Sequence, residues 1–268
     1  MSNRHTSFTG SIPENYDRYL RPLLFEPYAV DIAERVRVSD HGSVLETACG
    51  TGIVSWHLRN NITKGARLIA TDLNQAMLDY AARKFGPDDA VEFKQVDATS
   101  LPFDDASFEA VVCQFGLMFF PDKLAAMREA HRVLAPGGLL VFNVWDAIEK
   151  NELAQITHEI IASFFEIDPP SFYTVPCGFH DQTVIADHLS AAGFSAWDVS
   201  VVPKTGTSPS AADAVKGLVE GNPVIVEITQ RGGSVEAIEA ALAAAIAVRF
   251  GDNPVRIKLQ ALVCSARK

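Results

Sequence analysis

An apolar pair, Val44-Leu45, runs into Glu46-Thr47-Ala48-Cys49-Gly50-Thr51-Gly52 and then directly into an amphipathic stretch. The order is a strand, a turn of small residues and a helix start. Small side chains let the backbone come close to a bound molecule, and the first turn of a helix offers unpaired N–H groups to a polar or negative ligand group. Twenty residues past Gly52 a second apolar run ends at Asp72, an acid placed to accept hydrogen bonds from ribose hydroxyls. Singly, each feature also fits a packing turn or a solvated edge acid; together they point to a nucleoside cofactor. The spelling is ExAxGxG. The third glycine of GxGxxG, which packs helix on strand around a pyrophosphate, is missing, and this argues against a dinucleotide and a nicotinamide oxidoreductase.

The elements that must carry these residues follow from hydrophobic period. Between about 43 and 146, short β-branched runs alternate with helix-length amphipathic stretches, the pattern of a doubly wound α/β sheet. Strands are expected at Ser43 to Glu46, Arg67 to Asp72, Val91 to Asp97, Phe108 to Gln114 and Leu139 to Trp145. Helices are expected at Gly52 to Asn60, Gln75 to Phe85 and Lys123 to Leu134, the last stopped by Pro136-Gly137-Gly138. Beyond Trp145 the alternation weakens. Asn151 to Phe165 spaces Leu153, Ile156, Ile160, Ile161 and Phe164 for one helical face. A helix at Asp181 to Ala192 ends at Gly193, and Ser195 to Val202 is a strand. Gly206 to Asn253 is a second helical stretch, clearest at Ser234 to Phe250 with Ile238, Leu242 and Ile246 on one side, before a last strand at Val255 to Ser265.

Set in order, VLETACGTG, ATDLNQAML, VDATSLPF, FEAVVCQFGLMFFPD and REAHRVLAPGGLLVFNVW resemble the five sequence blocks of class I S-adenosylmethionine-dependent methyltransferases. The chain is most similar to the small-molecule branch, that of the ubiquinone- and menaquinone-biosynthesis enzymes. The resemblance implies a Rossmann-like seven-stranded sheet with helices on both faces. It also implies methyl transfer from S-adenosyl-L-methionine to an oxygen, nitrogen or carbon nucleophile of a small acceptor, with S-adenosyl-L-homocysteine as product. A non-catalytic, cofactor-binding regulatory module is the alternative. Carried over by position, Glu46, Ala48, Cys49 and Gly50 surround the methionine part, Asp72 holds the ribose hydroxyls, and Leu73 and Met77 lie against the adenosine. Asp97 accepts from the adenine amino group, the Ala98 N–H meets the ring, and Gln114 and Phe115 lie beside the sulfonium and the acceptor. The usual first glycine of the motif is Ala48 here. An N-terminal segment containing Tyr16 and Tyr19 looks like a flap; the two tyrosines stand one helical turn apart, which lets both face the site. The chain is expected to be a single domain over 1–268, with flap and helix at 1–40, a cofactor core at 43–146, and insertions at 147–180 and 206–253 forming an acceptor lid.

The remaining features are quieter. Asp168-Pro169-Pro170-Ser171 has the acid-Pro-Pro form of enzymes that methylate nucleic-acid amino groups, but it does not follow the fourth strand, where Gln114-Phe115-Gly116-Leu117 stands. His131 reads as structural, and His180, near His188, is a candidate substrate base. No cluster has metal-ligand spacing. With 33 acidic and 23 basic residues the net charge is -10, which disfavours nucleic acid and anionic lipid as partners. The apolar run at Val111 to Phe120 is far short of the ~20 residues a membrane span needs. A polar N-terminus and four scattered cysteines suit a cytoplasmic protein. The acceptor and the oligomeric state are not readable.

Overall fold

Strands buried on both faces carry near-continuous apolar runs, because helices cover both sides of a parallel sheet. In the computed structural model, which describes residues 8–268, β1 (Ser43–Glu46), β2 (Arg67–Asp72) and β4 (Phe108–Gln114) are of this kind. β3 (Val91–Gln95) is half exposed and lies at an edge. With β5 (Leu134–Trp145), β6 (Ala196–Ser208) and β7 (Val255–Arg267) they make one seven-stranded sheet in the order β3-β2-β1-β4-β5-β7-β6. The pairs among β1 to β5 are parallel, and β7 runs antiparallel to both β5 and β6. Strand order reverses between β1 and β4, so a crevice opens outside their carboxyl ends, where open α/β sheets bind ligands.

The helices are α3 (Ile53–Asn61), α4 (Gln75–Ala82), α5 (Lys123–Val133), α6 (Glu152–Ser163), α7 (Gln182–Ala192), α8 (Ala211–Glu220), α9 (Val224–Gln230) and α10 (Val235–Phe250). Ahead of β1, α1 (Ile12–Asn15) continues as a π-helix over Tyr16–Phe25 and then as α2 (Glu26–Glu34). α7 is capped as expected: Asp181 accepts from the Thr183 and Val184 N–H groups, and Gly193 closes the helix at φ 102. In α10, Ile238, Leu242 and Ile246 are fully buried, each worth roughly 1.5–3 kcal/mol relative to exposure.

Several expected boundaries move. β3 stops at Gln95, where its pairing with β2 ends at Asp72, so Asp97 stands beyond the strand. α4 ends at Ala82 and not at Phe85. β5 begins at Leu134, because Leu134 pairs with Phe108 before the ladder shifts register to Ala110 and Leu139. β6 runs on to Ser208, paired with β7 to Val255, so the first residues of the 206–253 segment are strand. In α6 the buried line is Leu153, Thr157 and Ile161, while Phe164 is 42% exposed. Thr157 takes a core position because its hydroxyl donates to the Leu153 carbonyl at 2.7 Å.

Candidate functional site

The glycine turn is anchored on both sides. The Thr47 N–H donates to the Val112 carbonyl of β4 and the Cys49 N–H to the Thr71 carbonyl of β2, each at 2.9 Å. Between these anchors the chain adopts positive φ at Ala48 (52°), Gly50 (55°) and Gly52 (77°). A Cβ on Gly52 would come within 3.0 Å of the Ala81 Cβ, whereas one on Gly50 would meet nothing within 4 Å. Gly52 therefore serves helix packing and Gly50 leaves the turn open. Ala48 sits in the left-handed region that favours glycine, and its methyl group occupies space released elsewhere: a Cβ on Gly116 would lie 2.4 Å from the Ala48 Cβ. The departure from the usual glycine at position 48 is thus matched by a glycine at the exit of β4.

Asp72, at the end of β2, is 6% exposed. One of its carboxylate oxygens accepts from the Gly50 N–H at 2.9 Å and the other from the Asn74 N–H at 2.8 Å. Burial pushes its pKa up, and these N–H bonds oppose the shift. Asp72 lies on the wall of the large cavity at the carboxyl edge of the sheet. Of the residues expected in the site, Tyr16, Ala48, Gly50, Leu73, Met77, Asp97, Ala98, Gln114 and Phe115 share that wall. Asp97 is exposed and accepts from the Thr99 N–H at 2.8 Å. Gln114 is tied at both ends of its amide, accepting from Asn143 Nδ2 and donating to the Phe25 carbonyl. Phe115, at φ 49°, gives its N–H to Asn143 Oδ1 at 2.9 Å and stacks on Trp145 with centroids 4.0 Å apart.

Three expected residues are not on the wall. Glu46 is buried behind the turn, where its Oε2 accepts from Ser55 Oγ at 2.5 Å. Burial raises its pKa to about 8, with the Asp72 carboxylate adding to the shift. Cys49 packs with Ala70 and Leu78 on the far side of the turn. Tyr19 contacts Gly217 and lies under the guanidinium of Arg18. The wider i→i+5 winding of the π-helix carries a residue three positions past Tyr16 off the face that Tyr16 presents. Tyr16 itself stacks on Phe25, with centroids 4.6 Å apart.

The wall also holds residues to which the sequence assigned no role: Phe25, Asn74, Trp145, Lys258 and, from the inserted segments, Asn151, Phe172, Tyr173, Cys177, Leu218 and Asn222. Asn74 stands two residues past Asp72 and was open to reading as its partner, and Trp145 closes the fifth motif block; the others sit far apart in sequence and carry no local signal. The two insertions meet at the wall, where Tyr173 Oη donates to the Leu218 carbonyl at 2.5 Å. The N-terminal helices are held on from outside by Asp17, which pairs with Lys84 and accepts from Thr51 Oγ1 at 2.9 Å, and by Glu26, whose Oε1 lies 2.7 Å from His57 Nε2.

Among the described residues the histidines stand apart from the wall. His131 packs edge-on against Phe194, and His180 Nδ1 lies 2.7 Å from the Cys177 carbonyl. Asp168 pairs with Arg231, the residue that follows α9, and lies far in sequence from the β4 exit. Among the described residues no group of His, Cys, Asp and Glu side chains is arranged to hold a metal ion, and no helix is long and apolar enough to cross a membrane.

Comparison with known proteins agrees with this geometry. The family described as "Methyltransferase domain" matches residues 45–142. A demethylmenaquinone methyltransferase of Staphylococcus epidermidis is 33% identical over 140 residues, covering 51% of this chain and 58% of that one. The chain thus spans little more than half the length of that curated relative. A putative methyltransferase of Bacillus halodurans aligns over 91% of this chain and 98% of its own, with TM-score 0.58 and 20% identity. Phosphoethanolamine N-methyltransferase 2 of Haemonchus contortus, solved with S-adenosyl-L-methionine, aligns over 100% of this chain and 60% of its own, with TM-score 0.63 and 15% identity. Residues 45–142 thus match the methyltransferase-domain family and resemble the quinone-biosynthesis enzymes, and the chain has the Rossmann-like fold of the solved methyltransferases.

Proposed function

We propose that the protein transfers a methyl group from S-adenosyl-L-methionine to an oxygen, nitrogen or carbon nucleophile of a small-molecule acceptor. The observation that carries this reading is Asp72, a buried carboxylate on the cavity wall beside the open glycine turn. Its Oδ2 accepts from the Gly50 N–H, and its Oδ1 from the Asn74 N–H at 2.8 Å and from Asn74 Nδ2 at 3.3 Å; the longer side-chain bond can give way to a ligand hydroxyl, so a ribose diol fits this carboxylate. Leu73, Met77 and Val96 supply apolar surface beside it for an adenine, with Asp97 and the Ala98 N–H at its edge. Aromatic faces from Tyr16, Phe115 and Trp145 suit a sulfonium, each such contact being worth about 0.5–2 kcal/mol.

The cofactor, when bound, supplies a methyl carbon already activated by the sulfonium. The chain's own residues then have to orient two reactants and exclude water, which accounts for most of what such a site contributes. The inserted segments 147–180 and 209–253 serve as the lid of the acceptor half. This is supported by Leu153, Tyr173, Leu218 and Asn222, drawn from both segments, lining the same cavity as Ala48 and Gly50 of the glycine turn. A small acceptor, not a nucleic acid, agrees with the net charge of -10 and with Lys258 being the one basic side chain on the wall among the described residues.

The test is calorimetry with S-adenosylhomocysteine and NAD on the intact chain and on Asp72→Ala. The wild type should bind the former and not the latter. The variant should lose about 1.5–3 kcal/mol, tenfold or more in affinity, for a charge-assisted bond removed. Equal affinity in the two proteins would count against the assignment. A labelled-methyl screen over a metabolite panel then identifies the acceptor and separates turnover from cofactor binding alone.

A further inference from the structure

Asn222 lies between α8 and α9, is 6% exposed and stands on the cavity wall. Its Nδ2 donates to the Leu218 carbonyl at 3.2 Å and to Tyr173 Oη at 3.3 Å. The orientation of the amide is fixed by chemistry. The Leu218 carbonyl is an acceptor only, so a flipped amide would set oxygen against oxygen there. Tyr173 Oη already gives its hydrogen to the same carbonyl and is left to accept. The Oδ1 atom therefore points away from both, and no group among the described residues donates to it. On the cavity wall such an oxygen is met by water or by a ligand, and a ligand that covers it without bringing a hydrogen leaves it unpaired at a cost of about 1–3 kcal/mol. Around it the lid side of the wall is apolar and aromatic: Phe119 and Phe172 stack with centroids 6.1 Å apart, and Tyr173 meets Phe172 edge-on at 5.4 Å.

We infer that Asn222 is a specificity residue of the acceptor half: its Oδ1 accepts a hydrogen bond from a hydroxyl group carried by an aromatic acceptor. This rests on the methyltransferase reading, in which the Asp72 end of the cavity takes the nucleoside and the lid end the acceptor. The aromatic wall holds the ring body of the acceptor. The amide oxygen selects molecules that bring a donor and leaves those without one facing an unpaired carbonyl. No bond is made or broken at Asn222.

The experiment measures binding of 2-naphthol and of naphthalene to the intact protein, with and without saturating S-adenosylhomocysteine. Naphthalene is the more apolar probe, so a pocket with no acceptor for the hydroxyl would prefer it. The wild type should prefer 2-naphthol by about fivefold, the effect of one net hydrogen bond. Asn222→Leu, of similar size and without an acceptor, should erase or reverse that preference while its S-adenosylhomocysteine affinity stays at the wild-type value. Asn222→Asp, held protonated by burial, keeps both a donor for Leu218 and a carbonyl oxygen, and should retain the preference. An equal or inverted preference in the wild type overturns the inference without need of any variant, as does binding of neither probe or a preference that survives in Asn222→Leu. Loss of S-adenosylhomocysteine binding by the wild type would instead strike the functional reading beneath it.

Discussion

Glu46 is fully buried, and burial pushes its carboxyl up to about 8 against the opposing hydrogen bonds from Ser55, one of them from Ser55 Oγ to Oε2 at 2.5 Å. An unfolded glutamate releases its proton near pH 4.3, as a rough reference. The folded state therefore binds the extra proton between that value and about 8, and stability must fall as pH rises through this window. Glu46→Gln keeps an acceptor for Ser55 Oγ and cannot ionise. Set equal to the wild type near pH 5, it should exceed it at pH 8 by on the order of 4 kcal/mol. Urea unfolding of both proteins at the two pH values checks this; identical slopes of stability against pH would refute it. The motif identifies Glu46 by its place before the turn, but a side chain in a strand alternates between faces, and which face opens on the cavity is decided by the helices laid over the sheet. The same holds for Cys49, which packs on Ala70 and Leu78. Ala48, by contrast, acquires its meaning only with Gly116, 68 residues away in the chain and in contact in the fold.

At the scale of elements, the N-terminal π-helix is the part of the site most dependent on its neighbours. It lies against β6 at Gly206, where an added Cβ would be 1.8 Å from the Leu23 carbonyl oxygen, and against α8 at Gly217, where one would be 2.8 Å from the Tyr19 Cβ. Backbone meets backbone at Gly206, so neither partner yields by a side-chain rotation. Gly206→Ala should cost about 1–3 kcal/mol of stability, as overpacking does, and should also weaken S-adenosylhomocysteine binding by moving Tyr16 and Phe25 off the wall. Thermal unfolding and calorimetry on one sample check both halves; lost stability with unchanged affinity would show that the helix does not hold the wall. The strands β1, β2 and β4 were legible to the residue because apolar runs bounded by turns have one reading. The N-terminal stretch was expected as a flap on resemblance alone, and its π-helix was not legible, since i→i+5 winding leaves no distinct hydrophobic period over ten residues. In α6 the apolar count placed Phe164 inside, whereas contact with the 3-10 turn at Phe172–Thr174 and with α10 selects the line through Thr157.

At the scale of the molecule, the cavity joins the parallel half of the sheet, the N-terminal helices and both inserted segments. A ligand there should stabilise all of them at once. At one hundred times its dissociation constant, S-adenosylhomocysteine adds about 2.7 kcal/mol, which raises the Tm of a chain of this size by roughly 5–10 °C. NAD at equal concentration should leave Tm unmoved. Calorimetric unfolding with each compound measures the difference, and a shift with NAD alone would overturn the cofactor assignment. The sequence by itself determined the doubly wound core, the order of its five motif blocks, the glycine turn and Asp72, because these rest on local period and on residues within one βαβ unit. Only the tertiary structure decided which expected residues share a wall, that Tyr16 does and Tyr19 does not, and that Asn222, Tyr173 and Lys258 join them. The physical reason is that a cavity wall is built from side chains distant in the chain, whose common surface is set by how helices and insertions pack on the sheet, and no short-range pattern records that packing.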